Sequence, residues 1–179
     1  MSIFVLRNLG SYKPPALGEL PGLKLSITDR WILHRLYSTA AKANTAMEGY
    51  LMGECATSLY DFFLKEICDV YLETLKPVFG GKNEEAKDAS RATLFWVVLN
   101  GLTLMHPLMP YITEELYQRL PLQLSESLCI AEYPTGEKLE KFKDEEAEET
   151  MAIIMDIATA SRSVVSQLDI KKVQPKAFL

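Results

Sequence analysis

The chain has 179 residues, 48% of them hydrophobic and 24% charged, with a formal net charge of −5. That length and balance fit one folded unit with its own core, and they exclude a disordered tail or a small scaffold dependent on disulfide or metal staples. No apolar run approaches the ~20 residues of a membrane span. The start MSIFVLRNLGSYKPP lacks the charged region and small-residue cleavage site of a signal peptide, so a cytoplasmic setting without membrane partners is expected. Cys55, Cys68 and Cys129 are odd in number and lack CxxC spacing, and the first two fall within apolar helical patterns. Free thiols in a reducing compartment are expected, with neither disulfide nor zinc.

Residues 1–24 read as a connector, since Lys13-Pro14-Pro15 cannot lie inside a helix. One helical unit is expected over 25–179. Ser26-Ile27-Thr28-Asp29 makes a capping-box start, and Ile32, Leu36, Ala40, Ala43 and Met47 follow on one helical face up to Gly49. A second helix is predicted from Gly53 to Lys76, with Leu59, Phe62, Phe63, Ile67, Val70 and Leu75 inward and Pro77 with Gly80-Gly81 as its stop. After a polar link, a third runs from Glu84 to Met105 and is apolar over most of its later length, the pattern of a helix buried between neighbours. His106-Pro107 and Met109-Pro110 break it, and a short helix resumes over Thr113 to Leu120, capped by Thr113. Residues 121–143 are expected as a loop holding an extended piece, SLCIAEYP at 127–134. A last helix spans Asp144 to Leu168 and presents Met151, Ile154, Ile157, Val164 and Leu168. The sum is an all-α bundle of four to five helices, with the second and third at its centre.

Chemistry-bearing constellations are sparse. His34 and His106 are the only histidines, neither has a metal-ligand partner one turn away, and His106 reads as a packed structural residue. There is no GxSxG elbow, GxxxxGK[ST] loop or GxGxxG loop. Glu66, Asp69 and Glu73 form an acidic stripe best read as ion-paired with neighbouring cations. No cofactor, metal or catalytic residue is expected. The net charge opposes nucleic-acid binding, yet the acids concentrate at 137–149, while Lys24, Arg30, Arg35 and Lys42 face only Asp29 between 24 and 42.

Three segments carry a family resemblance: LSITDRWILHRL at 25–36, YDFFLKEICDVYLETLKPVF at 60–79 and MHPLMPYITEELYQRLP at 105–121. In this order they resemble the anticodon-binding helical domain of class I aminoacyl-tRNA synthetases, in a eukaryotic-looking valyl version. CDVYLE at 68–73, LCIAEYP at 128–134 and the ending QPKAFL support the valyl type. Departures lie where RNA contacts are expected: Phe63 and Leu64 stand where valyl enzymes carry a tryptophan, Val165 replaces an arginine three residues after Arg162, and Gln174 replaces another.

The resemblance implies that the chain holds the anticodon stem-loop of a valine-type tRNA by charge and stacking. The H-I-G-H and K-M-S-K-S signatures that hold ATP in such enzymes do not occur in these residues, so this chain alone is expected to catalyse nothing, although it can form part of a valine–tRNA ligase. The candidate tRNA contacts are Arg30, Trp31, His34, Arg35, Tyr60, Phe63 and Arg162, with Trp31 and Phe63 equally readable as core. The alternative is a synthetase-derived interaction module that has lost tRNA binding and docks on the catalytic part of a synthetase or on another protein.

Overall fold

The computed structural model describes residues 2–10 and 12–167. It is all-α, with no strand among the described residues. Helix α1 covers Ser2–Leu9. The segment expected as a connector continues through a 3-10 turn at Leu17–Gly22 and buries Val5, Leu9 and Leu20. It is stitched to the later chain where the Trp96 indole donates to the Pro15 carbonyl and the Tyr12 hydroxyl to that of Asp88.

Helix α2, Ile27–Glu48, begins as the sequence predicts: Ser26 accepts from the Asp29 amide, and the Asp29 carboxylate accepts from the Ser26 amide. It ends in a Schellman turn, with the amides of Tyr50 and Leu51 returning to the carbonyls of Met47 and Ala46. That turn puts Tyr50 at φ 57, a left-handed conformation that normally belongs to glycine.

The predicted second helix is three joined pieces: α3 at Met52–Asp61, a wide π-type stretch at Phe62–Tyr71, and α4 at Leu72–Gly80. The Leu72 amide reaches the Ile67 carbonyl five residues back. The wide turn lets Phe62, Ile67, Tyr71 and Leu75, spaced five and four apart, share one buried line. Pro77 does not stop the helix, which runs on to Gly80; the hydrogen bond it forfeits lies on an exposed face near the end.

Helix α5, Glu84–Met105, is capped by Asn83 and buried all round from Ala92 to Leu99, as its breadth of apolar residues predicts. At Gly101 an added Cβ would stand 2.8 Å from Phe63 Cε2, so glycine allows that ring to lie against α5.

Helix α6 starts at Pro110, not at Thr113, and ends at Tyr117. Proline at a first helical position gives up no needed donor, so the helix begins before the expected cap. The 121–143 segment holds a 3-10 turn at Leu128–Ile130, a one-turn helix α7 at Gly136–Leu139 and a second 3-10 turn at Glu140–Phe142.

Helix α8, Glu145–Gln167, packs on α2 through Ala147 and Met151. Of the other residues that the sequence puts on this face, Ile154, Ile157 and Val164 are exposed, and Leu168 lies outside the described residues. The centre is therefore α2, which contacts α3, the π stretch, α5, α7 and α8, instead of the second and third predicted helices alone.

Candidate functional site

Three of the candidate RNA contacts lie on the side of α2 that holds α8. Arg30 reaches Asp144 at 3.4 Å and Glu146 at 3.6 Å. His34 accepts the Asp144 amide at Nδ1, 2.9 Å away, and is buried. Arg35 is gripped twice by Glu66, at 2.9 and 2.6 Å, and once by Glu148 at 3.0 Å. Its guanidinium is held above the usual arginine range, chiefly by the Glu66 hydrogen bond. A bidentate pair of this kind is strong and directional. Both arginines thus carry carboxylate partners from within the chain. Trp31 is only 2% exposed and sits in the core, its indole N–H buried without an acceptor among the described residues.

Beside this clamp, a cleft of about 410 Å³ opens between α2 and α3. Arg35, Thr39 and Lys42 line it from α2, and Thr57, Ser58 and Asp61 from the α3 side. A second cleft of about 420 Å³ shares Lys42, Glu54 and Ser58 and leads to Leu51. The two form one trough that ends at the α2–α3 corner, where Tyr50 is 87% exposed and Leu51 and Met52 are exposed too. Tyr60 is exposed on α3, three residues past Thr57. Phe63 is half-buried against Gly101 and edge-on to Phe62, and Arg162 stands exposed on the far half of α8. Arg35 lines the trough together with Lys42, Tyr50 adjoins Leu51 at its end, Tyr60 is exposed on α3, and Trp31, Phe63 and Arg162 lie elsewhere. The exposure of Tyr50 has no mark in the sequence beyond its position after Glu48-Gly49, where a helix end puts it in solvent.

The trough is not basic. Glu54, Asp61 and Glu66 offset Arg35 and Lys42. It offers hydroxyls, which suit hydrogen bonding to exposed base edges better than a grip on phosphates.

The motifs that carried the resemblance turn out to be internal ties. Buried Asp29 of DRWI accepts from the Tyr71 hydroxyl of CDVYLE at 2.6 Å and from Ser90 of α5 at 3.2 Å. Burial, then the facing Asp29 carboxylate, push the Tyr71 hydroxyl well above its ordinary pKa. In the PLMPYITEELYQRLP segment, Thr113 meets His106 at 2.8 Å, Glu114 accepts from Ser127 and from the Leu128 amide, and Tyr117 donates to the Ser125 carbonyl. His106 is packed and hydrogen-bonded, as expected from the sequence. Among the described residues no group of three or more His, Cys, Asp or Glu side chains is arranged to hold a metal ion.

An all-α bundle locked by these ties is consistent with an anticodon-binding domain. Residues 29–179 match the family described as the anticodon-binding domain of tRNA ligase, and the chain belongs to that family. Within it the chain is similar to valine–tRNA ligases. The human enzyme is 38% identical, the match covering 98% of this chain and 14% of the enzyme. That of the bacterium Symbiobacterium thermophilum is 37% identical, over 91% of this chain and 19% of the enzyme. The chain thus spans less than a fifth of the length of these two relatives, and the human and bacterial enzymes are about equally similar to it.

Proposed function

We propose that this chain binds the anticodon stem-loop of a valine-type tRNA in the α2–α3 trough. Unstacked loop bases rest on Tyr50 and Tyr60, base edges meet Thr57 and Ser58, and Lys42 faces a phosphate. The observation that carries this reading is Tyr50. Its ring is held in solvent at the mouth of the trough by a backbone conformation that costs stability, and such cost concentrates where it serves binding. Family membership supports RNA as the ligand class. The chain spans only 14–19% of the relatives named above, so ligation of valine to tRNA is proposed for a larger assembly that includes these residues. The test is a low-salt titration with a valine-type anticodon stem-loop against a scrambled-loop control. A preference for the valine loop that Tyr50→Ala and Lys42→Ala each weaken is expected. Equal binding of the two loops would overturn the reading.

One observation favours a second reading, docking to another polypeptide. Ile153, Ile157 and Val164 are all more than half exposed and recur at helical spacing along the far half of α8. A chain of the same fold that ignores every stem-loop but co-migrates with a synthetase catalytic part would establish it.

A further inference from the structure

The pair His106 and Cys129 is not used by any RNA reading. Cys129 is exposed at the centre of the 3-10 turn Leu128–Ile130, and its Sγ lies 3.2 Å from Nε2 of His106. Thr113 holds the ring at its other nitrogen: its hydroxyl lies 2.8 Å from Nδ1, 2.8 Å from the Met109 carbonyl and 3.2 Å from that of Pro110. In the tautomer with Nδ1 protonated, the hydroxyl accepts from Nδ1 and donates to a carbonyl, and the Nε2 lone pair points at the Cys129 thiol. A nucleophile, its base and a third group that orients the base are thereby in line. Glu114, on α6, is the charged side chain near this pair. The carboxyl of Glu114 is held below its usual range mainly by the Gln118 hydrogen bond, with smaller contributions from the Leu128 amide, Ser127 and His106. Cys55 is buried and Cys68 half-buried, and neither has such a base.

We propose that Cys129 is a reactive thiol that His106 activates toward low-molecular-weight disulfides, making it a site of reversible S-thiolation. In the step, His106 Nε2 takes the thiol proton and the Cys129 sulfur attacks one sulfur of the disulfide. The old S–S bond breaks as the mixed S–S bond forms, and the departing thiolate recovers the proton from His106. One disulfide is consumed and one is made, so no further oxidant is required.

The experiment exposes the 179-residue chain to glutathione disulfide and follows adduct formation by intact mass and peptide mapping across pH. One adduct at Cys129 is expected, absent in Cys129→Ser, with a rate that stays high below the pH range where an ordinary thiol loses reactivity. His106→Gln should slow it about 10-fold at neutral pH and restore an ordinary thiol profile. Thr113→Val, which keeps the imidazole and the side-chain volume but removes the hydroxyl at its Nδ1, should slow it several-fold. An unchanged rate in folded His106→Gln overturns the proposal. Should that variant fail to fold, an unchanged rate in Thr113→Val overturns it instead, as does a wild-type profile that follows an ordinary thiol.

Discussion

Tyr50 separates stability from binding at a single position. Because the left-handed conformation costs a side-chain-bearing residue about 1–2 kcal/mol, Tyr50→Gly should stabilise the fold by about 1 kcal/mol in urea unfolding. The same change should weaken stem-loop binding, since a stacked base contributes about 1–3 kcal/mol. Trp31 is the opposite case. Buried at 2% exposure, it should cost ~3–5 kcal/mol when replaced by alanine, and the loss of RNA binding in Trp31→Ala should follow the unfolded fraction instead of changing base preference. Arg30 and Arg35 fall between the two, because removing either leaves acids of α8, or Glu66, without a partner.

At the scale of elements, α2 and α5 were legible because their signals are local: a capping box at Ser26 and apolar runs of helical period. The π stretch was not, since a 3.6-residue period cannot represent the five-and-four spacing of Phe62, Ile67 and Tyr71. Helix α6 was misplaced because Pro110 reads equally as a breaker and as a first residue. Periodicity also says which residues share a face, not whether that face meets anything: Ile154, Ile157 and Val164 of α8 recur with Met151, yet only Met151 is buried. Of the trough lining, Arg35 and Lys42 stood out in the sequence as cations, whereas the place of Tyr50 beside its end needed the α2–α3 corner. Gly101→Ala tests the α3–α5 contact, where the new methyl meets the Phe63 ring at 2.8 Å; a loss of about 1–3 kcal/mol in denaturant unfolding is expected.

For the whole molecule, a net charge of −5 and arginines already paired to carboxylates leave few cations for phosphates. Stem-loop affinity should therefore fall only gently with salt, with a log–log slope of about −1 to −2, and Lys42→Ala should flatten it further by about one unit. A steep slope would mean that RNA displaces the acids of α8 from Arg30 and Arg35. The 179-residue chain by itself should give no valine-dependent exchange of ATP and pyrophosphate, whichever tRNA is added, in a preparation cleared of host synthetase.

The Asp29 tie also fixes an order of events during synthesis. Its partners Tyr71 and Ser90 lie 42 and 61 residues further along the chain, so on the ribosome the carboxylate waits for both to emerge. Until then the start of α2 can close its local cap but cannot be sealed from water, since a buried carboxylate without its donors is strongly disfavoured. The bundle therefore commits late, when α5 arrives, and a nascent chain halted before residue 90 would remain open to chaperones and proteases.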